Sequence, residues 1–298
     1  MREFHILSLG AGVQSTMLYL LACERHPVMP PLDAAIFADT GEEPQAVYTH
    51  LAWLKTLKGP PIIERNAGNR LGDGLIHGVR PSGYSYEITK NRDGGRERFA
   101  SIPAFTKAEN GSIGMTRRQC TKEYKTDVVG RSIRRDVLGL KPRQRIPTDV
   151  TIHQYMGLSF DEGRRVLRVR ALFFSRTQWI PHFPLWETNT TRQGCKGWLK
   201  DRVPHTVPRS ACTFCPFHSN EEWRSVKSVP ADWARACEVD DALRAVESVC
   251  SAAHTDQLYC HRSCVPLREA GISDPVNEDD RYQDEMAFAR DCEGMCGV

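Results

Sequence analysis

The segment Phe4-His5-Ile6-Leu7-Ser8-Leu9-Gly10-Ala11-Gly12-Val13-Gln14-Ser15-Thr16 decides how the rest of the chain is read. An apolar run ends in a loop of small residues. Gln14 to Arg25 then carries Met17, Leu18, Leu21 and Ala22 at helical spacing. The order predicts strand, turn, helix. Gly10 and Gly12 tolerate positive φ, so amides of the turn can face an anion. Ser15 and Thr16 fall at the start of the helix, where unpaired amides and the positive end of the helix dipole favour a phosphate. The lysine of a Walker loop is missing, and the pattern is only part of a dinucleotide-binding fingerprint. Taken alone, the segment reads equally as a strand-to-helix turn without a ligand.

Composition sets the bounds. The chain has 298 residues, 40% hydrophobic and 26% charged, enough for one large core or two small ones. No apolar run approaches the roughly 18 residues of a membrane span. The start of the chain lacks a charged region followed by a long apolar one, so no signal peptide and no membrane partner are expected, and the location is expected to be cytoplasmic. Eleven cysteines in such a chain point to metal, cluster or redox chemistry rather than disulfides. Net charge is +3 but uneven: residues 117–145 carry ten basic and three acidic side chains, residues 269–298 two basic and nine acidic. The basic block suits a polyanion, or is a solvated helix face.

Further strands are expected at 34–38, 61–65 and 150–156, and helices at 44–57, 117–135, 190–200, 219–228 and 230–249. Ala34 to Ala38 has no alternation, as in a strand buried on both faces of a parallel sheet. Ligands of open α/β sheets sit beyond strand carboxyl ends. Asp39 is therefore placed to meet a ribose hydroxyl, a metal ion or a base, or to cap the next helix. Residues 67–116, with Tyr84, Tyr86, Phe99 and Phe105, read as a functional loop or a hairpin insertion. Cys120 opens a helix, where its thiolate is favoured. Cys212-Thr213-Phe214-Cys215 is a redox pair, half a zinc site or half an iron–sulfur site.

Five motifs stand in order: Ser-x-Gly-x-Gly-x-x-Ser-Thr at 8–16, Asp-Thr-Gly at 39–41, Cys-Thr-x-x-x-Lys at 120–125, Gly-x-x-x-Asp-Glu-x-x-Arg at 157–165 and Cys-x-x-Cys at 212–215. Together they resemble the phosphoadenosine phosphosulfate reductase-like, PP-loop ATP pyrophosphatase superfamily. The resemblance implies an α/β fold with a five-stranded parallel, doubly wound sheet in residues 1–187, interrupted by the insertion 67–116. A helical, cysteine-containing region follows in residues 188–298. It implies an adenine nucleotide, ATP with Mg²⁺, held by Ser8, Gly10, Gly12, Gln14, Ser15, Thr16, Asp39, Thr40 and Gly157. Asp39, Arg164, Arg165 and Cys296 are the implied catalytic residues.

The same resemblance implies a [4Fe-4S] cluster, with Zn²⁺ as the alternative. The family's Cys-Cys pair is reduced here to Gln119-Cys120, so the ligands become Cys120, Cys212, Cys215 and, nearest in sequence, Cys195. Cys292 or Cys296 is the substitute for Cys195. His261, between Cys260 and Cys264, is a candidate for a second metal site with Cys292 and Cys296.

The implied reaction is adenylation coupled to sulfur transfer onto a nucleic acid, tRNA or DNA, with a sulfur-donor protein or a thioredoxin-like reductant as partner. Reduction of a sulfonucleotide with release of sulfite is the competing enzyme reading. A non-catalytic nucleotide-sensing module is the third.

Overall fold

The computed structural model describes residues 1–77, 102–116, 118–245 and 257–272. Arg117, Cys292, Cys296, Tyr84, Tyr86, Phe99 and the expected helical residues 246–249 lie outside the described residues.

The opening segment forms strand β1 (Arg2–Ser8), a short loop and helix α1 (Val13–Cys23). β2 (Ala34–Asp39), α2 (Gln45–Thr56) and β3 (Ile62–Asn66) follow, with α3 (Leu71–His77) after them. Two short strands, β4 (Phe105–Lys107) and β5 (Ile113–Met115), pair as an antiparallel hairpin. The helix expected at 117–135 is one helical run whose winding changes. It is π-helical at Thr121–Thr126, α-helical at Asp127–Ser132 (α4) and π-helical again at Ile133–Val137. β6 (Val150–Met156) leads through a single 3₁₀ turn (Phe160–Glu162) into α5 (Gly163–Phe173). After β7 (Trp179–His182) come α6 (Pro184–Glu187), α7 (Arg192–Leu199), α8 (Asn220–Lys227), α9 (Pro230–Arg244) and β8 (Leu258–Tyr259).

The main sheet runs β3-β2-β1-β6-β7, all parallel. β1 is central, and its Ile6 and Leu7 are fully buried on opposite faces. Residues of even number on β1 and β2 (Ile6, Ala34, Ile36) join Ile152 in one core with Val128 and Val129 of α4, Trp223 of α8 and Ala236 of α9. Their neighbours Leu7, Ala35 and Phe37 join Tyr155 in a second core with α1, Val47 and Leu51 of α2, and Leu199 of α7. Alternation therefore sends successive residues into two cores, and the sheet carries helices on both faces. The fifth strand, β7, has no apolar run; Pro181 is tolerated there because the strand is an edge.

The residues after 188 complete both faces of this sheet. α7 packs on α1, while Cys212, Phe214 and Trp223 share a core with Ile6 and Ile36. β8 joins β4, so the far C-terminal segment and the insertion form a second, three-stranded antiparallel sheet. No helix among the described residues is long and apolar enough to cross a membrane.

Candidate functional site

The loop between β1 and α1 is tied to itself by Ser15. The amides of Gly10 and Gly12 donate to Ser15 Oγ at 3.2 and 3.3 Å, and Ser15 Oγ donates to the Gly12 carbonyl at 3.2 Å. The left-handed residue of the turn is Ala11, at φ 55°, with Gly12 at −102°. This corrects the expectation that Gly10 or Gly12 takes the positive φ. A non-glycine residue in that region costs roughly 1–3 kcal/mol and persists where the surroundings impose it. Ser8 is buried and its hydroxyl accepts from Gln154 Nε2 at 2.9 Å. Thr16 is fully buried, with Oγ1 2.8 Å from His50 Nε2. It turns away from the loop and serves the packing beneath it.

Around this loop lies a pocket lined by Gly10, Gly12 to Ser15, Gly157, Glu162, Arg165, Arg192, Arg209 and Ser210. Gly157, at the end of β6, presses on the loop: a Cβ there would stand 2.8 Å from the Ser15 amide nitrogen. Glu162 organises the wall. Its Oε2 accepts from the Ser159 amide, the Ser159 hydroxyl and Gln14 Nε2 at 3.0, 2.9 and 3.0 Å, and its Oε1 from Arg165 Nη1. Arg165 Nη2 is buried with no hydrogen-bond partner among the described residues. Arg164 does not line the pocket. Arg192 enters from the first turn of α7, whose Thr191 cap accepts from Gly194. Arg209 is held by Glu222 and by the Phe217 carbonyl.

Asp39 ends β2. Its Oδ1 accepts from the Gly41 amide at 2.8 Å and from Tyr48 Oη at 2.9 Å, closing the turn in which Gly41 has φ 72°. It does not line the arginine pocket. Burial and the Asp39 carboxylate push the Tyr48 phenol well above its ordinary range, so it stays a donor. Thr40 Oγ1 stands 3.3 Å from both Glu43 Oε1 and Cys212 Sγ. Glu43 also takes Lys125 Nζ at 3.3 Å and Ser210 Oγ at 3.5 Å. A buried ion pair thus bridges the pocket wall and the cysteines.

Cys212 and Cys260 are buried, and Cys120 and Cys215 half-buried, against the same core. Cys215 lies close enough to Cys212 and Cys260 for charge on one thiol to disfavour charge on the next. Cys120 is bracketed by Arg118, which stacks over Phe217, and by Lys125, which faces Glu43 and Cys212. Cys195 is not with them. It is buried in α7 among the residues of the opposite core, and burial with Asp161 nearby pushes its thiol up to about 12. Burial also pushes Cys212 and Cys260 up. His261 has Nδ1 on Ser263 at 2.7 Å and Nε2 on Asn220 at 3.0 Å, so both ring nitrogens are engaged. Cys264 belongs to a separate small cluster with Phe105 and Tyr259.

Among the described residues no three thiols come within 4.8 Å of one another. A zinc tetrathiolate, with Zn–S near 2.3 Å, needs its sulfurs about 3.8 Å apart.

The basic block is partly internal. Lys125 is buried on Glu43, Lys122 pairs with Asp127 at 2.8 Å, and Arg131 Nε donates to the Asp127 carbonyl. Arg131 and Arg134 join Arg176 and Trp179 along a groove beside α4. Sequence reading missed Arg192, Arg209, Ser210 and Cys260 as members of the site. Arg209-Ser210 directly precedes Cys212, the one local signal available. No protein-family model matches the chain, and no curated protein or solved structure matches it.

Proposed function

We propose that this chain is a PP-loop enzyme that binds ATP with Mg²⁺ and adenylates a nucleic acid as the activating step of sulfur transfer. One observation carries the reading. Three arginines and a strand-to-helix loop line one pocket at the carboxyl end of the central strand, and one guanidinium nitrogen, Arg165 Nη2, is buried with no hydrogen-bond partner among the described residues. A buried unpaired donor is costly, and a phosphate oxygen satisfies it. Sheet topology puts ligands at this end, where β1 meets β6.

In this mechanism the loop and the first turn of α1 seat the triphosphate. Glu162 fixes Gln14 and Arg165 against it. An acceptor oxygen attacks the α-phosphorus, the bond to pyrophosphate breaks, and Arg165, Arg192 and Arg209 take up the charge that develops on the leaving group. Cys120, Cys212, Cys215 and Cys260, which share one core, would hold the [4Fe-4S] cluster, with Cys260 in place of Cys195 on the opposite face. When bound, the cluster would supply a soft site able to hold the sulfur for transfer.

Anaerobic protein with ATP and RNA or DNA should release pyrophosphate, and the protein should contain iron and acid-labile sulfide. Sulfite release from a sulfonucleotide, without pyrophosphate release from ATP, replaces this reading with the reductase. Nucleotide binding without turnover of either replaces it with the sensing module.

A further inference from the structure

We propose that Glu3, His5 and His153 form a binding site for a divalent first-row transition-metal ion on the first half of β1 and the middle of β6. This site lies on the strand faces, away from the β1–α1 loop. His5 is five residues before Gly10, roughly 16 Å of extended chain. It is independent of the proposed nucleotide chemistry.

The register of the sheet builds it. β1 and β6 are parallel neighbours with His5 opposite His153. Glu3, His5 and Leu7 share a face by alternation, and His153 and Tyr155 lie on that face too. The two imidazoles stack with centroids 4.7 Å apart and planes 12° from parallel. One ligand atom from each of Glu3, His5 and His153 lies within 4.8 Å of the others, the only such trio of His, Cys, Asp and Glu side chains among the described residues.

The hydrogen bonds decide which nitrogens are available. His5 Nδ1 meets Tyr155 Oη at 3.0 Å, and His153 Nδ1 meets His182 Nε2 at 2.9 Å. With each Nδ1 carrying its proton toward that partner, each Nε2 keeps a lone pair. His153 Nε2 is buried and has no hydrogen-bond partner among the described residues. In that tautomer the trio offers two imidazole lone pairs and a carboxylate. An outer partner that fixes the tautomer through Nδ1 is the usual support of a metal-binding histidine. Tyr155 and His182 hold that position, stacked on each other at 4.7 Å.

Two imidazoles and one carboxylate suit zinc, iron(II), cobalt or nickel rather than magnesium or calcium. Metal–nitrogen bonds of about 2.0–2.1 Å in a tetrahedral site place the ligand atoms about 3.3 Å apart, so they close by up to about 1.5 Å on binding. Glu3 is exposed, so the site opens to solvent and retains positions for water.

The test is a cobalt(II) titration of the full-length protein under anaerobic conditions, read by visible absorption and by thermal unfolding. One equivalent should bind with the weak d–d bands of nitrogen and oxygen ligands and no thiolate charge-transfer band, raising the unfolding midpoint where magnesium does not. Glu3→Gln, at an exposed position that leaves the fold intact, should weaken binding tenfold or more, and His153→Gln should remove the equivalent. Unchanged binding in Glu3→Gln overturns the site. So does cobalt bound only with thiolate charge-transfer bands, or no cobalt bound at all.

Discussion

Two arginine clusters stand at the same end of the sheet and are balanced in opposite ways. Around Glu42, Arg235 donates twice to one fully buried carboxylate, at 3.0 and 2.6 Å, and also to Asp73 and Glu238. Arg70 adds a further bond to Glu42 at 3.2 Å, and the Gly72 amide another at 3.0 Å. These carboxylates hold Arg235 protonated, and the network ties α9 to the turn after β2. Around the β1–α1 loop, Arg165 is held by Glu162 and Arg209 by Glu222 and the Phe217 carbonyl, and Arg165 Nη2 is buried with no hydrogen-bond partner among the described residues. The first cluster is complete within the chain. The second leaves one buried donor, Arg165 Nη2, that a bound anion would complete.

The contrast breaks first at Arg235. Arg235→Ala leaves buried Glu42 with only the exposed Arg70 as a cationic partner and should cost up to about 3–5 kcal/mol in urea unfolding. ATP affinity of the folded protein should stay near wild type. Loss of affinity without loss of stability would reverse the roles assigned to the two clusters.

The support beneath the loop is tested by acid. Burial, with His205 beside it, lowers His50 to about 4. The unfolded chain then binds a proton below about 6.5 that the folded chain refuses. Stability is therefore complete above about 6.5 and is lost as pH falls toward 4, by roughly 3 kcal/mol from this residue at the low end. The slope of unfolding free energy against pH should flatten over that window in His50→Gln.

Smaller effects sharpen the picture of the loop itself. Gly157→Ala drives a methyl into the Ser15 amide and should cost about 1–3 kcal/mol, while weakening nucleotide binding. Ala11→Gly relieves the left-handed φ and should raise stability by up to about 1 kcal/mol in thermal unfolding. A loss of stability there would mean that the Ala11 methyl, fully buried in the core, outweighs the strain.

The sheet was legible because its signals are local. Apolar runs ended by small or acidic residues marked β1, β2 and β6, and a gap in periodicity marked the insertion. β7 was not legible, since Trp179-Ile180-Pro181-His182 has neither a run nor alternation and becomes a strand only by pairing with β6. Ser15 and Thr16 both looked ligand-facing in a linear motif. On a helix of 3.6 residues per turn they point about 100° apart, so one closes the loop and the other enters the core. Cys195 looked close to Cys212 along the chain, but the sheet lies between their cores. Cys260, far along the chain, returns through β8 to the cysteine face. Which face a residue reaches is a tertiary property, and motif spacing does not carry it. The same applies to Arg192, at the start of α7, and Arg209, in the loop before α8.

In the proposed function, Arg165 Nη2, buried with no hydrogen-bond partner among the described residues, takes an oxygen of a nucleotide phosphate. Calorimetric titration of wild type and Arg165→Gln with ATP and Mg²⁺, with folding checked by circular dichroism, tests it most directly. Loss of one charge-assisted bond of about 1.5–3 kcal/mol predicts a roughly 10- to 100-fold weaker affinity in the variant. Equal affinity in the two proteins, or no binding by the wild type, would contradict it.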